Sequence, residues 1–134
     1  VDVCAEQSCV IQHLPAAGPA RTPGGWHMLN DAGLPGAHVN IVHGHALDDV
    51  QLRRFCDLGL SFSAAAESEM SQGHGHPLTG RLRTFGRAPS LGVDLESVLS
   101  GDMLTQARIA LGIQRSLQIG DFLVQVERGQ VRVG

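Results

Sequence analysis

The chain has 134 residues, 43% of them hydrophobic and 17% charged, which is the composition of a globular domain with its own core rather than a disordered segment. Its net charge of -3 offers no attraction to nucleic acid or to an anionic membrane surface, and neither is expected as a partner. No apolar run approaches the roughly 20 residues that span a bilayer, and Val1–Glu6 lacks the basic and apolar regions of a signal peptide, so a cytoplasmic location is expected.

In chain order, Val1–Ser8 reads as the end of a helix and Cys9–His13 as a short buried strand, β-branched at two positions. Prolines and glycines from Leu14 to Gly25 predict a loop. Trp26–Ala32 follows as a short helix stopped by Gly33. Val39–His43 is the next strand. Asp48 caps a helix to Leu58 with Val50, Leu52, Phe55 and Leu58 on or near one face, and Gly59 ends it. Leu60–Ala66 reads as a strand, followed by a polar loop rich in Gly and His through Pro77. Leu78–Phe85 reads as a helix closed by Gly86. Pro89–Asp94 is a further strand, and a helix is expected from about Asp102 to Leu117. Phe122–Val126 and Gln130–Val133, around Glu127-Arg128-Gly129, predict an antiparallel hairpin.

Strands alternating with helices argue for a parallel α/β architecture. Cys4, Cys9 and Cys56 are odd in number and have no paired spacing. They read as free thiols of a reducing compartment rather than as disulfides or metal ligands. The absence of an initial Met suggests a piece of a longer chain, and the scarcity of aromatic residues has no functional reading.

In parallel α/β barrels, chemistry collects at the C-terminal ends of the strands. Three predicted strands end in residues that bind metals or move protons: His13, His43 and Asp94. Imidazole and carboxylate together suit Zn²⁺ or Fe²⁺ with a position left for water, and an ionised Asp beside that water can take its proton. Each residue also has a plainer reading. A lone His at a strand end is usually a hydrogen-bonded core or loop residue, and Asp94 could cap the turn that follows it. His43-Gly44-His45 puts two rings on one face if the strand continues, whereas the same spacing at His74-Gly75-His76 lies in a loop and signals little.

These segments resemble the metal-dependent amidohydrolase superfamily, in its branch of cytosine deaminases, chlorohydrolases and S-adenosylhomocysteine deaminases. Leu29-Asn30-Asp31-Ala32-Gly33-Leu34 followed by Ile41-Val42-His43-Gly44-His45-Ala46-Leu47-Asp48-Asp49 is similar to that family's sixth-strand segment. Ala66-Glu67-Ser68-Glu69-Met70 with Gly73-His74-Gly75 and Pro77 resembles a seventh-strand loop. Ser90-Leu91-Gly92-Val93-Asp94 with Gly101–Arg108 resembles the eighth strand and the helix after it. Order and spacing agree from Leu29 to Arg115, which is more specific than any one motif.

The resemblance implies a partial TIM-type (β/α)8 barrel of about four βα units, strands five to eight, over residues 1–120, with a β-hairpin tail at 121–134. It implies Asp94 as metal-contacting general base, His43 as the histidine facing water and substrate, and His13, slightly off register, as a metal ligand. Glu69 and Glu67 fall where the family reaches its substrate. The implied cofactor is a divalent metal, zinc first and iron second. The implied reaction is attack of activated water at a C–N bond of a cyclic amidine, triazine or purine-like molecule.

Leu34-Pro35-Gly36 through His43-Gly44-His45 also resembles the family's first-strand signature, which would make both histidines ligands. The seventh- and eighth-strand segments that follow so soon argue against it. Taken as the sixth strand, the chain lacks the first-strand His-x-His pair, and after Arg115 it departs from the family pattern. A fragment is therefore expected. Two readings follow: part of a deaminating hydrolase, or an inactive half-barrel that forms homo-oligomers through exposed strand edges. A doubly wound binding module is a third, with no phosphate-cradling glycine loop to support it.

Overall fold

A computed structural model describes residues 10–13, 31–33, 35–45 and 47–128, with residues 10–13, 122–124, 126 and 127 described as backbone only. Strands β1 (Val10–His13), β2 (Val39–Val42), β3 (Ser61–Ala64) and β4 (Ser90–Leu91) form a parallel sheet in sequential order. Val10 pairs with Val39, Asn40 with Ser61, and Ser63 with Ser90. Helix α1 (Asp49–Asp57) links β2 to β3, and two short helices, α2 (Ala66–Ser71) and α3 (Thr79–Thr84), link β3 to β4. Helix α4 (Met103–Glu127) follows.

The two faces of the sheet differ. Val39, Ile41, Phe62 and Ala64 alternate onto one side and are buried, as period-two patterning requires. With Leu47, Leu52, Phe55, Leu60, Leu78 and Leu82 they make a core between the sheet, α1 and α3. The other side carries a hydroxyl and amide row. Ser61 Oγ donates to Asn40 Oδ1 at 3.1 Å, Asn40 Nδ2 donates to Ser63 Oγ at 2.8 Å, and the Ser63 and Ser90 hydroxyls lie 2.7 Å apart.

Helix α1 begins where Asp48 predicts. Its carboxylate accepts the Gln51 N–H at 2.8 Å while Gln51 Oε1 accepts the Asp48 N–H at 3.3 Å, so two otherwise orphaned donors are satisfied reciprocally. Leu52, Phe55 and Cys56 form its buried stripe, whereas Val50 lies exposed. Cys56 is a free thiol whose pKa is pushed up by burial. Arg81 of α3 ties the turn after β2 in place: its guanidinium donates to Leu47 O at 2.6 Å, His45 O at 3.3 Å and Asp49 Oδ1 at 2.7 Å.

The half-barrel is not what forms. The described residues build a small open α/β domain, without four regular βα units. Strand β4 is only two residues long, and Asp94, three residues beyond it, has a left-handed backbone (φ 71°). The β3–β4 connection holds two short helices instead of one crossover. The hairpin is corrected as well, since 122–127 are the last turns of α4. An existing helix adds one hydrogen bond per residue without a new nucleation cost, and this outweighs the strand propensity of Phe122, Val124 and Val126.

The expected loop after Ala66, through Pro77, is helical over its first half, and the expected strands Leu60–Ala66 and Pro89–Asp94 are shorter than expected. Val1–Ser8, the 14–25 loop, nearly all of the Trp26–Ala32 helix, the 130–133 strand, Cys4 and Cys9 lie outside the described residues. No helix among the described residues is long and apolar enough to cross a membrane.

Candidate functional site

The carboxyl ends of β2, β3 and β4 converge on one rim, and His43 lies at its centre. It follows the last residue of β2 and turns away from the strand with φ 67°, its N–H donating to Ser63 O at 2.9 Å. Among the described residues, the non-glycine positions with positive φ are His43 and Asp94. Such a backbone costs about 1–3 kcal/mol per residue and persists only where its surroundings enforce it.

His43 is 8% exposed, and its partner Glu69, on α2, is 0% exposed. His43 Nδ1 and Glu69 Oε1 are 3.0 Å apart. A carboxylate only accepts, so Nδ1 carries the proton and donates. The same Oε1 accepts the Ala65 N–H at 3.0 Å, which anchors the carboxylate to the first turn of its own helix. The hydrogen bond to Glu69 raises the His43 pKa above its ordinary value of 6.5, aided by the charges of Glu69 and Asp94 and opposed by burial.

The other ring nitrogen faces Asp94. His43 Nε2 lies 4.0 Å from Asp94 Oδ2. That oxygen accepts the Ser68 hydroxyl, and Ser68 Oγ in turn accepts from Gln72 Nε2 at 2.7 Å. Of these two neighbours on α2, Ser68 therefore holds Asp94 and Glu69 holds the imidazole itself. Gly44 closes the rim from behind. At φ 63°, a Cβ there would sit 2.9 Å from Leu78 Cδ1 and 3.2 Å from Ile41 Cγ2, so the turn after His43 needs glycine on both conformational and steric grounds.

Of the residues expected in a site, His43, Asp94 and Glu69 come together, with Glu69 positioned as the partner of His43. Glu67 does not join them. Its Oε2 accepts Gln106 Nε2 at 2.7 Å and the Ser100 N–H at 3.1 Å, fastening α2 to α4 and to the turn before it. The end of β1 at His13 pairs with Val42 beside the rim, but the His13 side chain lies outside the described residues. Ser68 and Gln72 were not anticipated; the signal for Ser68 is that it sits on the same turn as Glu69, one residue away.

The resemblance implies a divalent metal, and the side chain of His13, one of its implied ligands, lies outside the described residues. Among the described residues, no group of three or more His, Cys, Asp or Glu side chains is arranged to hold an ion. His43 Nδ1 is engaged by Glu69 and Asp94 Oδ2 by Ser68. What the rim offers by itself is an acid–base arrangement: a buried imidazole oriented by one carboxylate and turned towards a second, partly exposed one. Compared with family models, curated proteins and solved structures, the chain matches none.

Proposed function

We propose that this rim performs hydrolytic chemistry of the amidohydrolase type, with water attacking a ring or amide carbon of a small cyclic amidine, triazine or purine-like molecule and a C–N bond breaking. The observation that carries the reading is the coincidence of backbone and chemistry. The residues that bear left-handed strain are the same His43 and Asp94 that the sequence nominates, and they face each other across 4.0 Å.

Asp94 is the base that takes the proton of the attacking water. His43, whose imidazolium form is favoured by the hydrogen bond to Glu69, returns a proton to the leaving nitrogen. Ser68 fixes the Asp94 carboxylate, and Glu69 fixes the tautomer and plane of His43.

A second reading has its own support. Leu104, Leu111 and Ile119 of α4 and Val98 before it are exposed. A non-catalytic chain that self-associates through such apolar positions would show concentration-dependent mass and no turnover.

The deciding measurement is ammonia release from a panel of cytosine, guanine, adenine and melamine, with and without added zinc or ferrous iron. Turnover that falls by about 10²–10⁴-fold in both His43→Gln and Asp94→Asn is expected. No release from any compound, or full activity in either variant, overturns the hydrolytic reading.

A further inference from the structure

The end of the sheet opposite the rim carries a charge pattern that the reaction above does not use. Ahead of β3 and β4, the last turn of α1 meets the end of α3 and the segment after it. Arg53 of α1 places its guanidinium 4.7 Å from the centre of the Phe85 ring, just past α3. Arg87 donates to Leu60 O at 2.8 Å, directly ahead of β3. Arg54 and Arg83 lie exposed on the same two helix ends. These charges gather round the Cys56 thiol: burial pushes its pKa up, and the fields of Arg87, Asp57 and Arg53 act on it as well.

Arginines at helix C-termini have a plain role, since they offset the negative end of the helix dipole. That role leaves most of their N–H groups without an acceptor. Among the described residues Arg81 is paired with Asp49, whereas Arg53, Arg54, Arg83 and Arg87 form no ion pair. Arg53 turns its plane to Phe85, which leaves its N–H edge for another partner, and Arg87 keeps donors beyond the one given to Leu60 O. Between Arg53 and Leu60 the sequence holds one carboxylate, Asp57. On a chain of net charge -3, these arginines make a local reversal of sign.

We propose that this face docks an acidic segment of a partner protein, whose Asp and Glu carboxylates take the N–H edges of Arg53, Arg54, Arg83 and Arg87. Planar guanidinium forks match carboxylates two bonds at a time. Spread over two helix ends, they suit successive carboxylates along a chain better than one small anion. A nucleic acid fits less well. Arg53 already occupies a face of Phe85, the aromatic ring at hand for a base, and the net charge repels a long polyanion. The docking owes nothing to the hydrolytic reading and lies at the other end of the strands from His43.

A fluorescein-labelled oligoglutamate peptide, followed by anisotropy with the whole chain at low salt, is the probe. Binding that weakens as salt is added is expected. Arg54→Glu combined with Arg83→Glu should lower the affinity about 10-fold. The same change of net charge on α4, Arg108→Glu with Arg115→Glu, should leave it nearly unchanged. In the unaltered chain the Nε–H resonances of Arg53 and Arg87 should move on titration, a reading that depends on no variant folding. Absence of binding at low salt, unmoved resonances at saturation, or equal weakening by the α4 pair overturns the proposal. So does tighter binding of an oligothymidylate of equal length, which marks a nucleic-acid surface, or full displacement of the peptide by millimolar inorganic phosphate, which marks a small-anion site.

Discussion

The packed layer beneath the sheet and the rim at the carboxyl ends of its strands solve opposite problems. Beneath the sheet, Ile41, Leu52, Leu60 and Leu82 are fully buried. Leu52 lies on a helix whose first turn is capped on both sides by the Asp48–Gln51 pair. At the rim, two residues sit in left-handed backbone, Glu69 Oε2 and His74 Nδ1 are buried without a hydrogen-bond partner among the described residues, and an imidazole lies between two carboxylates. One region is locally consistent at every level. The other breaks several rules within a few residues, and such concentrated violations mark functional places in otherwise consistent folds.

The comparison predicts that stability and activity can be damaged separately. The largest stability effect is expected for Leu52→Ala, which should cost about 2–5 kcal/mol in denaturant unfolding and leave turnover per folded molecule unchanged. Loss of turnover in parallel with stability would erase the division between the two regions. Gly44→Ala should cost about 1–3 kcal/mol, because it adds both φ strain and a clash with Leu78, and it should also displace His43. At this site both properties should fall together. Asp48→Ala removes half of the capping box and should lower stability by about 1 kcal/mol, read as a shift in the unfolding midpoint at constant slope.

The smallest expected effect is a pH dependence. The folded-state pKa of His43 is raised, so the stability contributed by its pair with Glu69 is fully present below about pH 6.5 and is lost as the pH rises through the folded value. Glu69→Gln should flatten this pH slope relative to the unaltered chain and draw the alkaline limb of any activity profile to lower pH. An identical pH profile in the variant would show that the pair does not titrate as described.

How much of this was legible in the sequence follows from which signals are local. Asp48 as cap, Gly59 as stop and the alternation of Val39 to Val42 depend on neighbouring residues, and each appears where local chemistry puts it. Helix α2 was missed because the face it buries is mostly polar. Ala66, Ser68 and Glu69 are its covered residues, so a single alanine is all the apolar signal there is, and no side chain caps its start.

The tail was misread for the opposite reason. Its alternating apolar residues resemble strands, yet α4 simply continues through them. His43 and Asp94 were visible as residue types at strand ends. Their strained backbones and the engagement of Glu69 with a histidine 26 positions earlier are long-range facts that composition and spacing do not encode. Glu67 and Glu69 look alike in sequence and lie two residues apart on a helix, which turns them in different directions: Glu69 to His43, Glu67 to Gln106.

The row of Asn40, Ser61, Ser63 and Ser90 on the far side of the sheet bears on how the protein responds to temperature. Unfolding exposes apolar surface, which raises the heat capacity, and polar surface, which lowers it. A sheet with one apolar face and one face of mutually bonded hydroxyl and amide groups releases less of the first and more of the second than a sheet dry on both sides. The curve of stability against temperature should therefore be flatter and broader for its size, with cold weakening the fold less than it weakens a domain whose sheet is greasy throughout.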